Sequence, residues 1–291
     1  FIKVLNPEIF YINAKVVREV VELFKNYQII GAKNLQTLGD MFEQLLDKGF
    51  KQDEGQFFTP LPITKFIWNC LPLEKIISAE KNFSPPKIID YACGAGHFLT
   101  QGFETINNFA KNLPKGWEDE KIFGIEKNDR LSTVSKISFF MHGADKGKIK
   151  FGDGLENYPD EGISAESFDI LVSNPPYSVK NFKKFLQIEN KFETLEKISK
   201  NGNEIETLFV ERIWQLLKPG GIAAVILPSS ILNKAGKSFV CAREKILQNL
   251  VGIEIGCGVK AKKLKKFRPE FQKIDKIIRE NILTENKKKK K

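Results

Sequence analysis

Apolar residues recur three and four apart at Leu35, Leu38, Phe42, Leu45 and Leu46, which predicts one face of a helix ending near Gly49. A weaker pattern of the same kind runs over residues 16–24. The stretch 51–62 is rich in turn formers, and Pro60 and Pro62 break any helix before the apolar-periodic residues 63–71. From Lys87 the rhythm changes to short apolar runs separated by helical stretches. Strands are predicted at 87–90, 122–125, 149–151, 168–172, 222–227 and 251–255. Helices are predicted at 98–111, 130–142, 204–217 and 237–250. This alternation predicts an α/β, Rossmann-like fold, a mostly parallel sheet with helices on both faces. Lys218-Pro219-Gly220-Gly221 reads as a turn, and residues 178–203 as a polar insertion of the kind that is functional or mobile. The expected organisation is a helical segment at 1–50, one large domain at 51–258 and a basic tail at 259–291.

Charge refines this layout. The net charge is +10, but residues 260–291 hold 14 Lys/Arg against 4 Asp/Glu, so the tail carries all of the excess and the preceding chain is balanced. The basic balance is therefore an argument about the tail, which suits polyanions or water, and not about the folded body. The longest apolar run, 221–232, contains Pro228 and two serines and is too short to span a bilayer, so no membrane association is expected. Four cysteines without CxxC spacing fit neither a disulfide framework nor a zinc ribbon, and a reducing cytoplasm is expected. His97 and His142 lack partners at metal-ligand spacing, and no metal site is expected. The chain opens on Phe1, which reads as a trimmed start.

Chemistry concentrates at the predicted carboxyl ends of the strands. Asp90-Tyr91-Ala92-Cys93-Gly94-Ala95-Gly96-His97-Phe98 follows the first strand and opens the first helix, where glycines let the backbone pass close to a ligand. A dinucleotide fingerprint would place a small residue where Leu99 stands, so an adenosyl ligand without a pyrophosphate is the better reading. Glu126 ends the second strand, placed to accept from ribose hydroxyls, and Asp153 ends the third, placed either to receive an adenine amino group or to form a turn. His97 is expected to cap the helix. The fourth strand delivers Asn174-Pro175-Pro176-Tyr177. An amide oxygen and stiffened backbone carbonyls can accept both N–H bonds of a planar amine while the tyrosine ring stacks on it. Upstream, Gln56-Phe57-Phe58-Thr59-Pro60 reads on its own as a loop with two buried phenylalanines.

These strings, in this order, resemble the gamma class of amino-methylating DNA methyltransferases, and most of all the modification subunit of type I restriction–modification systems or the methylase part of fused enzymes. The likeness spans roughly residues 35–255. It implies S-adenosylmethionine as cofactor, held by Gln56, Phe57, Phe58, Thr59, Pro60, Asp90, Ala92, Cys93, Gly94, Gly96, His97, Phe98, Glu126 and Asp153. It implies Asn174, Pro175, Pro176 and Tyr177 as the catalytic set acting on the exocyclic amino group of adenine, within a restriction system. DNA, a specificity subunit and a restriction subunit are the implied partners. Tyr91 stands where the family usually has proline, and the family's seventh strand has no counterpart beyond residue 258. Two other readings remain open: a methyltransferase acting on a protein glutamine or an RNA base, and a non-catalytic assembly or DNA-clamp subunit.

Overall fold

The computed structural model describes residues 14–26, 59–78, 84–110, 113–144, 147–186 and 192–250. The predicted helix at 35–49, the predicted strand at 251–255, the residues Gln56, Phe57 and Phe58 and the basic tail lie outside the described residues. The elements run α1 (Ala14–Phe24), α2 (Leu61–Cys70), α3 (Leu73–Ser78), β1 (Ile88–Asp90), α4 (His97–Phe109), α5 (Glu118–Lys121), β2 (Ile122–Glu126), α6 (Asp129–Met141), β3 (Lys148–Phe151), β4 (Phe168–Ser173), α7 (Glu193–Lys197), α8 (Glu206–Leu216), β5 (Leu217–Val225), α9 (Ser230–Asn233) and α10 (Lys237–Asn249).

All strand pairs are parallel, in the order β3-β2-β1-β4-β5. The two faces follow from the period-two alternation of the strands. Ile88, Ile122, Ile170 and Val172 point to one face, packed with Trp68, Phe98, Leu99, Ile106 and Phe139. Ile89, Phe123, Ile125 and Leu171 point to the other, packed with Tyr91, Leu208, Phe209 and Ile213. The chain leaves β1 toward β2 on one side, and β4 lies on its other side, so the strand order reverses beside β1. Loops leaving adjacent strands diverge at such a point and open a crevice at their carboxyl ends.

The bounds of one predicted strand are corrected, and two other readings gain detail. The last described strand is β5 at Leu217–Val225, and not 222–227. The Lys218–Gly221 turn survives inside it as an irregularity, because Leu217 pairs with Phe168 and the next pairing is Ile222 with Ile170. Within 178–203, read as a polar insertion, Phe182, Phe192 and Ile198 are buried in the α8-side core, which hydropathy averaged over the segment conceals.

Candidate functional site

The glycine loop is shaped by backbone geometry. Gly96 sits at φ +85° as the N-cap of α4, and a Cβ there would come within 2.5 Å of the Ser135 hydroxyl, so both conformation and space demand glycine. The expectation that His97 caps α4 is overturned: His97 is the first helical residue, and its Nδ1 donates to the Thr59 carbonyl at 3.0 Å. That bond, with Trp68 Nε1 donating to the Phe98 carbonyl at 2.8 Å, draws α2 and the Thr59-Pro60 segment before it against the start of α4.

Carboxylates stitch the loops together. Glu126, buried at the end of β2, accepts from the Gly94 N–H at 2.8 Å and from the Asn128 N–H at 2.7 Å. Asp90 accepts from the Ala92 N–H at 3.0 Å and from the Ser173 hydroxyl at 2.6 Å, so the ends of β1 and β4 are joined by one side chain. Burial pushes the Asp90 carboxyl up to about 7, the Ser173 and Ala92 donors pull against it, and the Glu126 charge adds to the rise. Asp153 forms a turn, with Oδ1 accepting from the Leu155 N–H at 3.0 Å, while Oδ2 pairs with Lys127 at 2.7 Å. Gly154 passes so close to the Tyr91 carbonyl that no side chain fits there. Burial pushes the Cys93 thiol well above its usual range, which leaves it inert as a nucleophile.

The side of the site after β4 is built from side chains. Asn174 Nδ2 donates to Thr59 Oγ1 at 3.0 Å across 115 positions of sequence. The Tyr177 hydroxyl lies between Asn174 Oδ1 and the Ile226 carbonyl, the latter at 3.0 Å, and its single proton serves one of them at a time. Burial pushes the Tyr177 hydroxyl well up, with the Glu206 charge adding, so the phenol stays protonated.

A small open cleft lies where these pieces meet. Thr59, Asp90, Ala92, Cys93, Gly94, His97, Phe98 and Asn174 all line it. Gly96, Glu126 and Asp153 do not line it: Glu126 reaches the lining through Gly94, Gly96 shapes the helix start, and Asp153 lies on the loop after β3. Pro60 precedes α2, Pro175 is buried, and Pro176 and Tyr177 are half-buried. Among the described residues no cluster of three or more His, Cys, Asp and Glu could hold a metal, and no helix is long and apolar enough to cross a membrane.

Sequence reasoning missed the residues that brace this site from α8. Glu206 accepts from the Ser178 N–H at 2.9 Å, Arg212 holds the loop after Asp153, and Tyr91 donates to the Phe209 carbonyl at 3.2 Å. The available signal was three charged residues, Glu206, Glu211 and Arg212, on a helix whose other positions read as core.

Residues 33–255 match the family of N-6 DNA methylases. The chain is 27% identical over 237 residues to the type I restriction enzyme EcoEI methylase subunit of Escherichia coli, covering 77% of this chain and 43% of that protein. It is 25% identical over 252 residues to the MjaVIII methylase subunit of Methanocaldococcus jannaschii, covering 82% and 40%. Among solved structures it is similar to the type I restriction-modification system methyltransferase subunit from Streptococcus thermophilus, with a TM-score of 0.53, 21% identity, and coverage of 76% of this chain and 45% of that one. The shared architecture is the Rossmann-like fold of S-adenosylmethionine-dependent methyltransferases. The chain spans under half the length of these relatives.

Proposed function

The chain belongs to the N-6 DNA methylase family, and on that footing we propose that it transfers a methyl group from S-adenosylmethionine to the exocyclic amino group of adenine in DNA, as the methylating component of a restriction–modification system. One observation carries the reading: Asn174 and the backbone of the Gly94 loop line the same cleft at the switch point of the sheet. A cofactor on the loop and an amine on the amide would therefore be neighbours.

The residues present suit the cofactor. A glycine loop offers backbone without side chains, and Glu126, whose carboxylate accepts from the Gly94 N–H, is the kind of acceptor that suits a ribose diol. Asp153, on the loop after β3 at the same end of the sheet, is the residue this reading assigns to the adenine amino group. When bound, S-adenosylmethionine supplies an electrophilic methyl on a sulfonium. The chain's part is positional and electrostatic. Thr59 fixes the plane of the Asn174 amide, and Asn174 Oδ1 has two lone pairs, one facing the Tyr177 hydroxyl. An adenine amine donating to the other lone pair of Oδ1 localises its own lone pair on nitrogen. No covalent enzyme intermediate is needed, and the buried, protonated Cys93 does not offer one.

The base must leave the duplex to reach this cleft, at a cost of a few kcal/mol. Beyond Tyr177, Lys180 and Lys184 are exposed and Phe185 is 69% exposed, which gives the duplex two phosphate contacts and an aromatic face next in sequence to the acceptor loop. Site selection falls to a specificity subunit, with a restriction subunit completing the system, in cytoplasm. The test is transfer of tritiated methyl to unmethylated duplex DNA, with and without a specificity subunit. Asn174→Ala is expected to lower transfer by about a thousandfold, comparable to removing a preorganised transition-state donor, while calorimetry shows cofactor affinity within about twofold. Turnover within tenfold of the unaltered chain defeats the assignment.

A further inference from the structure

The residues that grip the two substrate-facing loops come from one helix. α8 buries three charged side chains, Glu206 at 1%, Glu211 at 3% and Arg212 at 1% exposure. At about 100° per residue, positions 206, 211 and 212 point in three directions roughly a third of a turn apart. Each meets a different segment. Glu206 accepts from the N–H of Ser178, the residue directly after Tyr177, at 2.9 Å. Glu211 accepts from the N–H groups of Glu193 and Thr194, both at 2.9 Å, at the start of α7. Arg212 donates from Nε to the Gly154 carbonyl at 3.2 Å and from Nη2 to the Glu156 carbonyl at 2.6 Å and Asn157 Oδ1 at 2.8 Å. A fourth tether reaches the glycine loop, where Tyr91 donates to the Phe209 carbonyl and its ring lies 5.1 Å from the Phe209 ring.

Core packing alone does not call for these charges, since a buried ion is costly unless its hydrogen bonds are met. Glu206 and Arg212 meet backbone of the loops on which function depends, while Glu211 meets the start of α7. Ser178 shows the need most clearly. It sits at φ +52°, a strained conformation for a non-glycine residue that persists only where its surroundings enforce it. The turn it makes directs the chain away from Tyr177, whose hydroxyl must meet Asn174 Oδ1 and the Ile226 carbonyl.

We propose that α8 is the frame that sets the acceptor loop and the adenine-side loop relative to each other, with Glu206 the positioning residue for Asn174–Tyr177 and Arg212 the positioning residue for the loop after Asp153. The proposal rests on the reading of Asn174–Tyr177 as the acceptor loop. Glu206 touches no substrate; it acts through Ser178. The two residues therefore act on different constants: Glu206 on turnover, Arg212 on cofactor affinity.

The test uses the full chain with Glu206→Gln, Glu206→Leu, Glu206→Asp and Arg212→Lys, each first checked for cooperative melting. Glutamine keeps an oxygen that accepts from Ser178, and kcat is expected to fall by no more than about threefold. Leucine removes the acceptor, and a fall of about 30-fold or more in kcat is expected, with the KM for S-adenosylmethionine within about twofold. Aspartate, shorter by one methylene, is expected to lose about tenfold and serves if the leucine variant does not fold. Arg212→Lys, which cannot span the same acceptors, is expected to raise the cofactor KM by about tenfold and leave kcat within threefold. Folded leucine or aspartate variants with unaltered kcat overturn the proposal, as do losses spread equally over both constants in all variants. Amide hydrogen exchange at 177–180 separates this inference from the functional reading. If the unaltered chain transfers no methyl yet exchange quickens in Glu206→Leu and not in Glu206→Gln, the frame stands and the activity falls. Unchanged exchange in both variants overturns the frame.

Discussion

The two walls of the cleft are made differently. The wall after β1 and β2 is backbone: a glycine loop held by Glu126 and Asp90, whose partners Gly94, Asn128 and Ala92 are no more than 32 positions away. The wall after β4 is side chains held from afar, Asn174 by Thr59 at 115 positions and Tyr177 by Ile226 at 49. A backbone wall keeps its shape as long as its glycines and the register of β1 and β2 are kept. A side-chain wall holds its geometry only when several separate elements have docked, so it fails by losing precision before it loses fold. Asp90 alone belongs to both, since it takes the Ser173 hydroxyl from the far wall.

Three substitutions test this contrast. The largest effect is expected from Glu126→Ala, which releases the Gly94 and Asn128 N–H groups together. Cofactor affinity should fall by about 30-fold, near 2 kcal/mol, read by calorimetry; an unchanged affinity would reduce Glu126 to a structural brace of the loop. A smaller effect is expected from Tyr177→Phe, which keeps the ring and removes only the hydroxyl shared by Asn174 and Ile226. A loss of about fivefold in turnover at unchanged cofactor affinity, on the order of 1 kcal/mol for one hydrogen bond, would mark the acceptor wall as the precise one. Equal loss in both constants would show that the walls are not separable.

The smallest effect concerns the shared residue. In the folded chain Asp90 keeps its proton up to about pH 7, against 3.8 for an ordinary aspartate. Between these values the folded state binds the extra proton, so stability is fullest below about pH 4 and declines as pH rises through about 7. Asparagine keeps an oxygen for Ser173 and Ala92 without this liability. Asp90→Asn should therefore melt a few degrees higher than the unaltered chain at about pH 8, with the gap closing toward pH 4 in calorimetric melts. A pH-independent gap would show that Asp90 is not proton-linked to folding.

Much of the backbone wall was legible in the residues themselves. Gly94, Gly96 and Glu126 stand out because a sharp strand-to-helix turn demands glycine locally, and the helix starts came within a residue or two because helical periodicity is a short-range property. His97 went astray for the opposite reason: beside a helix start it reads as a cap, yet its partner is Thr59, brought there by the Trp68–Phe98 bond. The insertion after Tyr177 hides its packing in the same way, since its average polarity masks residues such as Phe182, Phe192 and Ile198 that reach the core.

What the order of residues determined by itself was a parallel α/β chain with a glycine turn after the first strand, an acid after the second and an amide-proline-proline-tyrosine string after the fourth. Those features arise from local sterics, hydrogen-bonding inventory and periodicity, which act over a few residues. Only the tertiary structure decided that Thr59 orients Asn174, that Tyr177 shares its proton with Ile226, and that α8 grips the loops on either side. Those partners lie tens of positions apart, and no local preference of the chain encodes which donor will meet which acceptor once both faces of the sheet are buried.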